Sequence, residues 1–189
     1  MITKILFAGS GGQGVISMAN VFAKAAMLDD YHVTYISSYG AAVRGGTANC
    51  TVCISDEEIA SPVASSPDFI VALNKPSAQT FINKLDPGGQ LIYNSDLIDT
   101  VPYRGDIDLF PVPANMIAKN LKNDKTVNMI LLGSLAKLTN IIKPKHIHES
   151  IDSLFEGKKK AAASSIQAFD YGYEEFPFNN KKEKNQTEK

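Results

Sequence analysis

The sequence predicts an α/β fold in which a largely parallel sheet is flanked by helices and the C-terminal half is rich in helix. Three observations carry that expectation. The apolar run TKILFAG near the N-terminus passes through a glycine loop into the helix-like VISMANVFAKAAML. Further short β-branched or aromatic runs alternate with turn and helix signals. After Pro113 the apolar residues recur mainly at helical spacing.

In order along the chain, TKILFAG reads as a short buried strand, and the segment after the glycines places Val15, Ala19, Phe22 and Ala26 near helical spacing. HVTYISS and TANCTVCIS have strand composition, and DFIVAL is bounded by SSP before it and NKP after. PSAQTFINKL reads as a helix, DPGG as a turn and QLIYNS as another strand. IDLFPVPA is a last strand leading into a helix, with Pro113 near the helix start, where a missing N–H costs little. NMIAKNLKN, NMILLGSLAKLTN, KHIHESIDSLF and KKKAAASSIQAFDYGYEEF then read as helices covering one sheet face and edge. With strand, glycine turn and helix at its start, the expected fold is Rossmann-like.

The chain has 189 residues and 44% hydrophobic composition, enough for one ordinary core. Residues 1–176 are expected to form a single domain and 177–189, ending in NNKKEKNQTEK, a polar, flexible tail. With 19 Lys and Arg against 20 Asp and Glu, the balance points to neither a nucleic-acid nor a membrane partner. No signal-peptide pattern and no apolar run of about 20 residues is present, so a cytoplasmic location is expected.

The two cysteines, Cys50 and Cys53, stand in a strand-like run. On a strand, residues three apart face opposite ways with Cα atoms roughly 10 Å apart. A disulfide needs them within about 7 Å, so ordinary strand cysteines are expected. Any iron–sulfur cluster would then reside on a partner.

Gly9, Gly11 and Gly14 in GSGGQG have the dinucleotide-fingerprint spacing between a strand and a helix. Such a loop brings backbone N–H groups close to a phosphate. The acidic residue expected at the end of the next strand is missing: Ser37 and Ser38 stand there, and Asp29 and Asp30 come too early. Three readings stay open: a dinucleotide site, a glycine turn packed at a subunit surface or holding another anion, and a loop serving folding alone. The candidate loop comprises Gly9, Ser10, Gly11, Gly12, Gln13 and Gly14, with Gln13 either orienting a ligand or bridging backbone segments.

A second loop, SYGAAVRGGTANC, carries Tyr39, Arg44, Gly45 and Gly46. Its guanidinium suits a carboxylate, phosphate or carbonyl-rich partner, or caps a neighbouring helix. His146 and His148, two apart, diverge on a helix and are read as surface residues, and the basic run GKKK as a solvated face. No P-loop, GxSxG elbow or HExxH is present. The chain displays no complete active site and no metal ligand set of its own.

KILFAGSGGQGVISMANVFAKA, SYGAAVRGGTANCTVCISDEEIASPV, PDFIVALNKPSAQTF, DPGGQLIYNSDLI and NMILLGSLAKLT together resemble the gamma subunit of 2-oxoacid:ferredoxin (acceptor) oxidoreductases. The likeness runs in order from residue 3 to about residue 175. RGGTANC, NKPS and YNSDLI are most similar to 2-oxoglutarate:acceptor enzymes. The resemblance implies one subunit of an enzyme that converts 2-oxoglutarate and coenzyme A to succinyl-CoA and CO2 while reducing ferredoxin or a related acceptor. Alpha and beta partner chains would hold thiamine diphosphate and Mg, and a delta chain, or clusters elsewhere, the [4Fe–4S] centres. No firmly bound cofactor is expected on this chain, and the isolated subunit is expected to be inactive and free to self-associate. Alternatives are a gamma subunit for pyruvate or branched-chain or aryl 2-oxoacids, a stand-alone nucleotide-binding domain, and a purely structural docking subunit.

Overall fold

The structure is a computed structural model describing residues 2–39, 47–60 and 66–178, with Tyr39 described in its backbone. Six strands form one sheet: β1 (Ile2–Ser10), β2 (His32–Tyr39), β3 (Thr47–Ser55), β4 (Phe69–Ala72), β5 (Gln90–Asn94) and β6 (Asp108–Val112). Their spatial order is β2-β3-β1-β4-β5-β6. The helices are α1 (Val15–Leu28), α2 (Lys75–Phe81), α3 (Ala114–Asn120), α4 (Val127–Thr139), α5 (Pro144–Leu154) and α6 (Lys159–Glu174). The α/β class, the glycine turn between β1 and α1, and the helical second half are as the sequence predicts.

β1, β4, β5 and β6 run parallel, and β3 alone runs against its neighbours, pairing Ser10 with Thr47 on one side and Tyr39 with Ala48 on the other. The reason is connection length. Residues 40–46 are too few for the dozen or more that a parallel crossover needs, so β2 and β3 pair as antiparallel neighbours. β3 is buried on both faces over its second half, which suits an internal strand, whereas β2 carries exposed Ser37 and Ser38 and lies at the edge.

One face of the sheet is covered by α1 and α3 to α6. Phe7 of β1 meets Phe22 of α1 with ring centroids 5.8 Å apart, and Cys50, Val52 and Ile54 of β3 join the same core. α4 is apolar nearly all round, with Met129, Ile130, Leu131, Leu132 and Leu135 buried, as a helix enclosed by neighbours must be. It crosses α6 closely: a Cβ on Gly133 would stand 2.1 Å from the Phe169 carbonyl oxygen, and one on Gly172 2.1 Å from that of Ile130. Phe176 reaches the edge strand β6 at Phe110 (5.7 Å), and Phe178 packs on Phe176, so packing continues two residues past the expected domain end at residue 176.

The opposite face is covered at β1, β4 and β5 by α2 and the segment leading to β6, where Leu6, Ile70 and Leu91 pack with Phe81, Ile82 and Ile98. Arg104 closes the 3-10 turn after α2 by donating to the Ile82 and Leu85 carbonyls, each at 2.8 Å. Among the described residues no helix is long and apolar enough to cross a membrane.

The histidines differ from their reading as surface residues. Each is half-buried and faces an acid from another helix or its end, because the amphipathic α5 turns one side to α1 and another to α6. His148 Nε2 lies 2.6 Å from Asp170 of α6. His146 Nδ1 lies 3.0 Å from Asp29, just past the end of α1, although outside hydrogen-bonding alignment. Asp29 also accepts from the Lys143 backbone N–H and Nζ, both at 2.8 Å. Burial pushes its carboxyl up, but the Lys143 hydrogen bonds and His146 outweigh this and hold it below the ordinary carboxylate range.

Candidate binding cleft

β1 ends at Ser10, and the chain reverses through Gly11 and Gly12 into α1. The turn is fixed from within: the Gln13 N–H donates to the Ser10 carbonyl at 3.1 Å, and the Ser10 N–H donates to Gln13 Oε1 at 2.7 Å. Gly9 must lack a side chain because a Cβ would fall 2.7 Å from Val15 Cγ2 and 2.9 Å from Gln13 Oε1. Gly14 adopts the left-handed conformation (φ +76°) and lies against Asn128 of α4, whose Nδ2 donates to the Gly14 carbonyl at 3.1 Å.

Asn74, just past β4, ties this turn to the opposite sheet face. Its Nδ2 donates to Gln13 Oε1 (2.6 Å) and Ser10 Oγ (2.8 Å), while its Oδ1 accepts from the Ser77 N–H (3.0 Å) and caps α2. Gln13 therefore bridges backbone segments, one of its two expected roles, with its amide oxygen engaged twice. Ser10 is likewise a structural tie.

The cleft, about 430 Å³, opens beyond this turn. Gly12, Gln13, Gly14 and Leu73 form one side, Leu97 and Asn115 a second, and Asp124, Lys125, Val127 and Asn128 a third. It lies where α1 leaves toward one side of the sheet and the β4–α2 unit toward the other, outside the carboxyl ends of β1 and β4. Open α/β sheets place ligands and partners at this switch point. Asn115 is oriented by the fully buried Asn94, whose Nδ2 donates to Asn115 Oδ1 at 2.6 Å, and the Met116 N–H donates to Asp96 at 2.7 Å.

The described lining offers carboxamides, backbone groups, one lysine and one aspartate, and no Ser, Cys or His. Such a surface offers hydrogen-bond donors and acceptors and one charge of each sign, without the Ser–His or Cys–His pairing of an activated nucleophile. Cys50 and Cys53 are free and buried on opposite faces of β3, so they do not fit one cluster, and burial pushes the Cys50 thiol up to about 11 despite the Tyr35 hydrogen bond. Among the described residues no group of three or more His, Cys, Asp or Glu is placed to hold a metal.

Of the residues singled out in the sequence, Gly12, Gln13 and Gly14 line the cleft, Gly9 and Ser10 support it, and Gly11 lies in the turn between them. Tyr39 ends β2 at the same sheet edge, with Thr47 opening β3 beside Ser10, so the second loop departs from and returns to this edge. Arg44, Gly45 and Gly46 lie outside the described residues. The test of a ribose-binding acid at the end of β2 assumes that β2 adjoins β1. Here β3 stands between them, which puts that end two strand spacings, about 9.6 Å, from β1. Asn74, Asn115, Lys125 and Asn128 escaped the sequence reading. Only Asn74 carried a signal, as an N-cap residue ahead of Pro76.

An open α/β sheet with a glycine turn, and with a switch-point cleft lined by carboxamides, backbone groups, one lysine and one aspartate, is a Rossmann-like domain. Comparison with known proteins narrows this class. The chain belongs to the pyruvate ferredoxin/flavodoxin oxidoreductase family, whose model matches residues 4–175. It is 36% identical over 183 residues to the 2-oxoglutarate synthase subunit KorC of Methanothermobacter marburgensis, covering 92% of this chain and 96% of that one. It is 34% identical over 173 residues to the ketoisovalerate oxidoreductase subunit VorA of Methanothermobacter thermautotrophicus, covering 90% of this chain but spanning only 36% of the relative.

Among solved structures, the gamma subunit of a keto/oxoacid ferredoxin oxidoreductase from Geobacter sulfurreducens superposes with a TM-score of 0.78 at 26% identity, covering 91% of this chain and 96% of that chain. The 2-oxoglutarate:ferredoxin oxidoreductase of Magnetococcus marinus, solved with 2-oxoglutarate, coenzyme A and succinyl-CoA, gives 0.82 at 28% identity, covering 90% of this chain and 30% of that one. The same domain thus exists both as a separate subunit and as about a third of a longer chain.

Proposed function

We propose that this chain is the gamma subunit of a 2-oxoglutarate:ferredoxin oxidoreductase and works only within the complex. The observation that carries the reading is its correspondence, over nearly the full length of both chains, with KorC subunits of 2-oxoglutarate synthases. A cleft lined by amides, Lys125 and Asp124, with no Ser, Cys or His among its described groups, fits a subunit that shapes a site held by others. Partner chains carry thiamine diphosphate with Mg and the [4Fe–4S] centres. The complex converts 2-oxoglutarate and coenzyme A to succinyl-CoA and CO2, and the released electrons pass to ferredoxin or a related acceptor.

In this reading the glycine turn and the loop bearing Arg44 face the alpha chain or the path of coenzyme A. VorA, matched at a similar identity, supports a second substrate, a branched-chain 2-oxoacid. The test is purification of the chain with its native partners, followed by coenzyme-A-dependent dye reduction with 2-oxoglutarate, pyruvate and ketoisovalerate in turn. Turnover with 2-oxoglutarate is expected, and preference for ketoisovalerate would replace the substrate. Recovery of the chain alone, without 2-oxoacid activity, would overturn the subunit reading. Within the active complex, Arg44→Ala is expected to weaken assembly or raise the coenzyme A concentration required; unchanged values of both would remove Arg44 from this role.

A further inference from the structure

We infer that Asn74 and Asn94 are positioning residues that fix the polarity of the cleft, so that it takes the amide-bearing arm of coenzyme A rather than a free anion. The inference rests on the subunit reading above and names the part of the substrate that this chain holds. A carboxamide can present either its oxygen or its NH2 group, and its neighbours decide which. The Ser77 N–H donates to Asn74 Oδ1 at 3.0 Å, which turns Asn74 Nδ2 toward Gln13. Gln13 Oε1 accepts from that Nδ2 at 2.6 Å and from the Ser10 N–H at 2.7 Å, leaving Nε2 as the group it can offer. The same logic runs on the second side of the cleft. The Asp96 N–H donates to Asn94 Oδ1 (3.3 Å), Asn94 Nδ2 donates to Asn115 Oδ1 (2.6 Å), and Asn115 is left with Nδ2. Asn128 is set the opposite way: its Nδ2 donates to the Gly14 carbonyl, and its Oδ1 remains.

Gln13 Nε2, Asn115 Nδ2 and Asn128 Oδ1 have no hydrogen-bond partner among the described residues. Asn115 is exposed, and neither Gln13 Nε2 nor Asn128 Oδ1 is sealed from solvent. Asn128 is only 6% exposed and lines the cleft, so its oxygen opens there. Donors on two sides and an acceptor on the third suit an amide, whose C=O accepts and whose N–H donates. Charge points the same way. Asp124 and Lys125 are exposed neighbours on the third side and cancel formally, so the described lining carries no net positive charge to draw a phosphate or carboxylate. Among the reactants of the proposed reaction, coenzyme A carries amides in its thiol-bearing arm, and 2-oxoglutarate has no N–H. A cleft of about 430 Å³ is large enough for such a segment.

The experiment uses the complex purified with its native partners and assayed by dye reduction. Gln13→Glu and Asn115→Asp keep the oxygen that accepts from Ser10, Asn74 or Asn94 and replace the presented NH2 group with an acceptor oxygen. Each should raise KM for coenzyme A at least about tenfold, with smaller effects on kcat and on KM for 2-oxoglutarate. Adenosine 3′,5′-bisphosphate, which has the base and phosphate chemistry of coenzyme A but no amide, should inhibit wild type and variants alike. Positioning is tested by coupling: Asn74→Ala should raise KM for coenzyme A and add little to it in a Gln13→Ala background, whereas a purely structural Asn74 would add in full. Unchanged circular dichroism melting of Gln13→Glu and Asn115→Asp controls for folding. A wild-type KM for coenzyme A in both variants, or bisphosphate inhibition that weakens with it, would overturn the inference and leave the subunit reading intact. Loss of assembly in the folded variants would do the same, giving the cleft to a partner chain. If the wild-type complex showed no 2-oxoacid turnover, both would fall.

Discussion

At the residue scale, Asn74 is the most connected side chain of the site. It caps α2 and holds Gln13 and Ser10 of the glycine turn. Asn74→Ala should therefore cost about 2 kcal/mol, the sum of a lost cap and lost side-chain hydrogen bonds. Thermal unfolding should then fall by roughly 4–8 °C for a chain of this size, and Asn74→Asp, which keeps the cap acceptor but sets a carboxylate oxygen against Gln13 Oε1, should not restore the wild-type value. Cys50 gives an independent check. With its thiol raised to about 11 by burial, it should resist iodoacetamide at pH 8 in the native protein and react once denatured. Rapid native labelling would contradict the buried strand face assigned to it. The glycines were legible in the sequence because backbone conformation restricts the residue type. The carboxamides were not, because Asn115 and Asn128 gain their roles from strands and helices far away in the chain.

At the element scale, strands and helices were legible almost to their ends, as α1 and β3 illustrate. Both have apolar periodicity that agrees with local propensity, so tertiary packing had nothing to overrule. Pairing was less legible. β3 looks like any other strand, and its reversed direction follows from the short connection before it, while its place beside β1 follows from burial on both faces. The α4–α6 crossing is another contact hidden from local reading, since nothing near Gly133 announces Gly172. Either Gly133→Ala or Gly172→Ala places a methyl group within van der Waals overlap of a carbonyl oxygen and forces the helices apart. A loss of about 3 kcal/mol is expected, at the upper end for overpacking, measurable as a lowered urea midpoint. A change below about 1 kcal/mol would mean that the helices sit farther apart than described.

At the scale of the whole molecule, Asp29 fastens the end of α1 to the start of α5 through Lys143, with His146 alongside. Its carboxyl is held below the ordinary value of 3.8, so ionised Asp29 favours the folded state above that pH. The contribution disappears as pH falls through the lower folded value. Stability should thus decline below about pH 4 in the wild type, and Asp29→Asn should be less stable at neutral pH with a flatter acid limb. Denaturant midpoints measured between pH 2 and 7 test this, and parallel acid limbs would refute it. The inserted position of β3 also bears on how the protein is made. β1 leaves the ribosome first, yet its partners on either side are β3 and β4, so it waits until residues 55 and 72 have emerged before either ladder is complete. During that interval α1, whose hydrogen bonds are local, is the element able to fold and shelter the apolar residues of β1.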